Sequence, residues 1–374
     1  MTDTSGQPLV GCLGGGQLAR MLALAGHDMG VRVRVLDPKP DACARRVADH
    51  VCAAYDDALA LPGFLHGLDA FTYEFENIPV SIVEALEGRA VMRPGSRSLR
   101  LCQDRVLEKQ TFERAGLDVH AWRAVENEAQ LGAAVGAVGT PCVLKRRTGG
   151  YDGKGQRVIR EESEALAAWE ELGRSACIVE AFVAFERELS LVGARSVTGD
   201  VAFWPVAQNT HEDGILRCTI APAPNVAQEA FERAADRASA FVSELGHVGV
   251  FAIEFFEADG VWWANEAAPR VHNTGHWTIE GSHTSQFEQH LRAVLGLELG
   301  FTEALGHCAM VNLIGDVPEL ASLARLAGVR SHLYDKAPSA GRKVGHLTTV
   351  QPTAGDRDAA LGRMKIVAGV GTRA

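Results

Sequence analysis

Between two strand-like runs, residues 142–144 and 156–159, lie four glycines in seven positions: Gly149, Gly150, Gly153 and Gly155. Glycine at that density does not serve packing. It permits positive φ and close approach of the backbone to another group. Flanked by strands, it points to a β-hairpin whose tip can lay N–H groups over phosphate oxygens. Lys145, closing the first run, supplies a neighbouring positive charge. The spacing is not that of a P-loop, because Lys154 is followed by Gly155 rather than by Ser or Thr. Taken alone, the stretch also fits a flexible tip with a solvated lysine.

A chain of 374 residues is too long for one hydrophobic core, so two or three domains are expected. The formal net charge of -10 argues against a general nucleic-acid partner or an anionic membrane surface. No apolar run has the length of a membrane span, and residues 1–8 lack the apolar stretch of a secretory signal. The eight cysteines are scattered, form no C-x-x-C pair and sit mostly in apolar runs. They read as small buried hydrophobes of a cytoplasmic protein rather than a disulfide framework or a zinc site.

Up to about Pro94 the sequence alternates short strands and helices. Strands are expected over 9–13, 31–36 and 71–75, with a helix over 17–29 carrying Leu18, Met21, Leu22 and Ala25 at helical spacing. Pro79 suits the first turn of another helix. This is a βαβ series on a parallel sheet. Gly14-x-Gly16-x-x-Ala19, followed by Asp37 at the end of the second strand, also fits a dinucleotide fingerprint. A nicotinamide dehydrogenase is therefore a rival reading, although the fingerprint accounts for only the first forty or so residues.

The centre of the chain carries a nucleotide site of its own. A helix over 104–115 has Asp104 as its cap and Gly116 as its stop. Arg105 and Lys109 lie four apart on one face, a spacing equally typical of a solvated basic surface. An amphipathic helix over 161–172 and an apolar run over 177–183 with one carboxylate, Glu180, follow. Residues 186–191 alternate as a half-buried strand does, 201–206 form another strand, and a long helix spans 226–245. Two apolar strands, 250–257 and 261–267, are joined through Asp259-Gly260, a strong hairpin signal. Glu254 and Glu266 stand equally far from Gly260, so the hairpin sets them opposite each other on one face. Two carboxylates among Phe, Ile and Trp repel unless a cation joins them, and a hard divalent ion shared with phosphate oxygens is how magnesium binds with ATP. The loop after Pro269 is dense in donors. His272, His276 and His283 read as hydrogen-bonding groups, because no complete metal-ligand set accompanies them. A helix over 286–295 closes this region. The last segment alternates short strands and loops, and its cations Lys336, Arg342 and Lys343 suggest an anion pocket.

Together these motifs resemble the ATP-grasp superfamily, and within it the 5-(carboxyamino)imidazole ribonucleotide synthase family. The resemblance rests on 14–18 (Gly-Gly-Gly-Gln-Leu), 73–79 (Tyr-Glu-Phe-Glu-Asn-Ile-Pro), 148–156, Asn265-Glu266, 268–278 and 341–346, which span nearly the whole chain. It implies an α/β and α+β multidomain protein of ATP-grasp fold. A Rossmann-like parallel-sheet domain would occupy 1–104, the nucleotide-binding region with its glycine-rich lid 105–298, and a small β-rich domain 299–374.

The resemblance also assigns roles. Arg105 and Lys145 would contact ATP phosphates, beneath a lid of Gly150, Tyr151, Asp152, Gly153, Lys154, Gly155 and Gln156. Glu180, Ala181, Phe182 and Val183 would line the adenine hinge, with Glu188 on the ribose and His211 in a nucleotide-contacting segment. Glu254 and Glu266 would hold Mg2+, with Asn265 beside them and Glu266 also touching the nucleotide. Gln17, Leu18, Glu76, Lys336, Arg342 and Lys343 would hold the ribonucleotide. Tyr151, Lys154, Arg270, His272, Asn273 and Lys343 would act at the reacting centre. Lys154 stands where relatives often carry Arg, which keeps the charge and loses the bidentate geometry.

The implied activity is carboxylation of aminoimidazole ribonucleotide with ATP and bicarbonate through carboxyphosphate, in purine synthesis. It implies ATP, Mg2+ and bicarbonate as small-molecule partners and a homodimer. A helix N-terminus favours an anion, so the turn from Gly14 to Leu18 is expected to take the ribose phosphate, with Arg342 and Lys343 as countercharge. Such chemistry needs positioning and cations rather than a Ser or Cys nucleophile.

Overall fold

Residues 6–150 and 155–371 are described by the structure, a computed structural model. The N-terminal part is a parallel sheet of β1 (Leu9–Leu13), β2 (Arg32–Leu36), β3 (Asp49–Val51) and β4 (Ala70–Tyr73), in the order β3-β2-β1-β4. Both β1 and β4 are buried along their full length, as the strands of a sheet covered on both faces must be. The helix Gln17–Met29 buries Leu18, Ala19, Met21 and Leu22 and stops at Gly30, whose φ of 69° permits the left-handed cap. β1 and this helix match their expected bounds, β2 starts one residue later, β4 runs from 70 to 73 instead of 71 to 75, and β3 is an element the sequence reading did not include.

The second sheet contains β5 (Trp122–Val125), β6 (Cys142–Arg146), β7 (Gln156–Ile159) and β8 (Cys177–Ala181), in the antiparallel order β5-β8-β6-β7. The expected glycine hairpin is β6–β7, with Lys145 opposite Gln156. Strand alternation gives the sheet two different faces. Cys142, Leu144, Ile159, Cys177 and Val179 pack with Leu131, Val135 and Trp169 of the covering helices. Val143, Lys145, Gln156, Val158 and Glu180 line a cleft on the other face.

The third sheet has nine strands: β9 (Arg187–Arg195), β10 (Val201–Phe203), β11 (Ala207–Glu212), β12 (Ile215–Ala221), β13 (Gly249–Ala258), β14 (Val261–Ala268), β15 (His307–Ile314), β16 (Val329–Leu333) and β17 (Lys343–Gln351). Their order is β14-β13-β9-β11-β12-β15-β17-β16, with β10 beside β9. The C-terminal strands thus extend the central sheet through β12 and β15 instead of making one of their own. Asp259 and Gly260 both have positive φ, 52° and 73°, the two-residue hairpin turn their sequence demands. The long helix is Gln228–Leu245, two residues shorter at its start than expected. Behind β15 and β17 lies the helix Ala354–Val367, in a segment read from sequence as strands and loops only. Among the described residues, no helix is long and apolar enough to cross a membrane.

Candidate active site

A cleft of about 1030 Å³ runs between the polar face of the β5–β8 sheet, the β13–β14 hairpin, whose β14 is the edge strand of the central sheet, and the C-terminal ends of β1 and β4. Of the site residues expected from sequence, Arg105, Lys145, Gly150, Gln156, Glu180, Ala181, Phe182, Val183, Glu188, His211, Glu254, Asn265 and Glu266 line it. So do Gln17, Leu18, Glu76, Arg270, His272, Asn273, Lys336, Arg342 and Lys343. Gly155 does not line the cleft. Its carbonyl accepts from Arg146 N, so it closes the hairpin instead. Tyr151, Asp152, Gly153 and Lys154 lie outside the described residues.

At one end of the cleft, Lys145 Nζ lies 3.2 Å from Glu180 Oε2 and 3.3 Å from Asn265 Oδ1. Lys109 Nζ reaches the same Glu180 oxygen at 3.3 Å and also donates to the carbonyls of Ala264 and Asn265. Burial alone would favour a protonated Glu180, but Lys109, Lys145 and Arg105 overcome it and hold the carboxyl down at about 2. Burial lowers Lys145, partly offset by Glu180. Lys109 is 3% exposed, so the solvated-face reading of residues 105 and 109 is wrong. It failed because the partners come from β8 and β14, far away in sequence.

The two expected metal ligands meet in register, Glu254 opposite Glu266, with a bulge immediately after Glu254. They are less enclosed than their apolar neighbours implied, with side chains 18% and 44% exposed, because the bulged edge opens onto the cleft. Arg105 Nη1 lies 3.3 Å from Glu266 Oε2, and His272 Nε2 lies 3.4 Å from Glu254 Oε1. Burial and the neighbouring Glu266 push the Glu254 carboxyl upward, which a divalent cation between the two would relieve. Nearby, Glu188 pairs with His211 Nδ1. Burial opposes a charge on that imidazole, and the Glu188 bond together with the negative charges of Glu254, Glu188 and Glu266 outweighs it and raises the histidine.

The other end is built around Glu76 and Arg270, which form a direct ion pair. Despite burial, Arg270 holds the Glu76 carboxyl down at about 2. His272 is driven by burial and by Arg270 to about 3, so its ring is neutral. Its Nδ1 and both amide atoms of Asn273 are buried without a hydrogen-bond partner, next to open space. Unpaired buried polar atoms are costly, and here they face a cavity that a ligand can fill. Lys336 pairs with Gln17 across this end. His276 bonds Gln286 at 3.1 Å, which also holds the His272 backbone, so that histidine braces the loop.

One expectation is overturned. The N–H groups of Gly16, Leu18 and Ala19 donate to the Glu74 carboxylate at 2.5, 3.1 and 3.0 Å, and that of Gly15 donates to Asp37 at 2.7 Å. The turn from Gly14 to Leu18 is therefore filled by the chain's own carboxylates and is not open to a phosphate. A dinucleotide meets the same obstacle, since Asp37 is folded onto the turn and is not free for a ribose. Glu74 was missed because its partners are backbone groups, which sequence does not display.

Models of three families match the chain. Residues 8–103 match the ribonucleotide synthetase preATP-grasp domain, 110–287 the ATP-grasp domain, and 308–360 the phosphoribosylaminoimidazole carboxylase C-terminal domain. The N5-carboxyaminoimidazole ribonucleotide synthase of Pseudomonas aeruginosa is 46% identical over 91% of this chain and 93% of its own length. That of Brucella melitensis is 43% identical over 94% and 99%. The crystal structure of N5-carboxyaminoimidazole ribonucleotide synthetase from Thermus thermophilus is similar at a TM-score of 0.92, with 45% identity over 97% of this chain and 98% of that one. The Aspergillus clavatus synthase in complex with ADP and 5-aminoimidazole ribonucleotide matches at 0.89, with 28% identity over 97% and 99%.

Proposed function

Because the chain belongs to the N5-carboxyaminoimidazole ribonucleotide synthase family, we propose that it carboxylates the exocyclic amine of 5-aminoimidazole ribonucleotide, using ATP and bicarbonate, in purine synthesis. It is an ATP-dependent carbon–nitrogen ligase. The observation that supports this reading best is a single cleft with two chemically different ends. One has buried cations beside paired carboxylates, and the other has unpartnered amide and imidazole atoms beside Arg270.

A bicarbonate oxygen attacks the γ-phosphorus of ATP, and the bond to ADP breaks. The carboxyphosphate so formed divides into carbon dioxide and inorganic phosphate. The amine nitrogen then bonds to the carbon and loses a proton. Arg105 and Lys145 steady the phosphate oxygens, and their placement before the reaction is the chain's main contribution. Glu254 and Glu266 hold Mg2+, which when bound offsets charge on the phosphates. Arg270, fixed by Glu76, faces the bicarbonate. Neutral His272 offers Nδ1 as acceptor to the amine, and Asn273 offers both a donor and an acceptor to the imidazole ring. Lys336, Arg342 and Lys343 meet the ribose phosphate in place of the occupied N-terminal turn.

Oxygen-labelled bicarbonate tests this chemistry. One labelled oxygen is expected in each inorganic phosphate released, with ADP release coupled to the ribonucleotide. Unlabelled phosphate would mean that bicarbonate never attacked ATP.

A further inference from the structure

His120 lies outside every motif that carries the resemblance, yet it stands at the inner wall of the cleft. Ala181 N donates to Ala121 O at 2.9 Å, and Trp122 pairs with Glu180. Alternation from that register sets His120 on the same face as Glu180 and Phe182. Its ring stacks on Trp263 of β14, with centroids 4.1 Å apart and planes at 29°. The stack fixes the ring, and Nε2 is buried with no hydrogen-bond partner. Glu180 Oε1 is the second unpartnered buried atom of this wall, because both lysines take Oε2.

We propose that His120 is a base-recognition residue of the ATP site, its Nε2–H donating to a ring nitrogen of adenine. The inference rests on the ATP reading of this cleft. The direction of the bond follows from Glu180. An ionised carboxylate accepts only, so it faces the 6-amino group of the base. Both ring nitrogens flanking that amine, N1 and N7, are acceptors, and the group beside the carboxylate must therefore donate. Burial, with Lys109 close by, lowers His120 to about 4, so it meets the base as a neutral imidazole with one N–H. A 6-oxopurine reverses part of the pattern. Its carbonyl faces the Glu180 carboxylate, and with His120 at N1 the N1–H also meets a donor. A site whose buried polar groups are left unpaired rejects such an analogue.

The test compares the full-length wild type with His120→Ala, His120→Gln and His120→Phe. ADP or IDP release is measured with ATP and with inosine triphosphate, at saturating bicarbonate and aminoimidazole ribonucleotide. His120→Phe keeps the stack on Trp263 and lacks the donor, while His120→Gln restores one. The Ala and Phe variants are expected to raise KM for ATP roughly ten-fold, with kcat within about two-fold and a smaller preference for ATP over inosine triphosphate. His120→Gln should recover most of both. Thermal melts show which variants are folded, and Phe serves if Ala is not. An unchanged KM and unchanged preference in His120→Phe would overturn the role. A wild type that does not release ADP from ATP would instead sink the proposed function, so the two failures are distinct.

Discussion

Glu266 shows how little a site residue need contribute to the fold. Its side chain is 44% exposed, and its one ion pair among the described residues is with Arg105 at 3.3 Å. Exchanging it for Gln keeps the shape and removes one of two negative charges from the pair. We expect Glu266→Gln to lower turnover by orders of magnitude while the melting temperature moves by only a few degrees, since such exposed pairs are worth about 1 kcal/mol or less. Turnover measured at limiting magnesium checks this, and near-normal activity there would remove Glu266 from the metal site. Glu254 is the complementary case. Burial and Glu266 raise it, so it is a poor carboxylate unless a cation stands beside it.

Single elements carry more of the stability. The helix Arg105–Arg114 lays three successive inward positions along β14. Arg105 meets Glu266, Glu108 accepts from Ala267 N at 2.8 Å, and Lys109 donates to the carbonyls of Ala264 and Asn265. Through Glu180, Lys109 also ties this helix to β8. Removing one partner of a buried charge pair typically costs about 3–5 kcal/mol. Lys109→Met should therefore lower the unfolding free energy by that order in a denaturant titration, and should weaken ATP binding as Glu180 and Lys145 shift. A stability within about 1 kcal/mol of wild type would show that the strut is dispensable.

Much at this scale was legible in the sequence. The Asp259-Gly260 hairpin and its facing glutamates followed from counting, and the Asp104 cap and the β6–β7 hairpin from local chemistry. What stayed hidden was long-range. Lys109 reads as surface until β8 and β14 are brought to it, His120 until Trp263 is beneath it, and the anion-ready helix start until Glu74 fills it. The helix Ala354–Val367 was missed because glycines at 355 and 362 dilute its apolar periodicity.

For the molecule as a whole, four fully buried histidines set the response to acid. Burial lowers His247 to about 4 and His290 to about 3, and lowers His276 and His346 well below their ordinary range. The unfolded chain takes up these protons near pH 6.5 and the folded one does not. Stability from these groups is thus complete above about pH 6.5 and is lost as pH falls toward the folded values, at up to about 1.4 kcal/mol per pH unit for each histidine. Glu76 and Glu180, both held at about 2, extend the loss below the usual carboxylate range. Thermal melts should fall steeply from pH 6.5 to 5, and His290→Gln should make that slope shallower. A melting temperature flat over this window would contradict the picture.

The joining of β12 to β15 has a consequence for the order in which the protein comes into being. The strand that starts at Lys343 leaves the ribosome after the N-terminal sheet and the nucleotide-binding strands, and Lys336 closes on Gln17, more than three hundred residues upstream. The N-terminal sheet and the nucleotide-binding strands can fold while synthesis continues, since domains fold largely as units in the order they emerge. The end of the cleft proposed to hold the ribonucleotide cannot. On the proposed assignment, a nascent chain acquires a pocket for ATP before it has a place for the acceptor amine, and the catalytic centre is assembled only when Lys336 and the strand after it return to the N-terminal sheet.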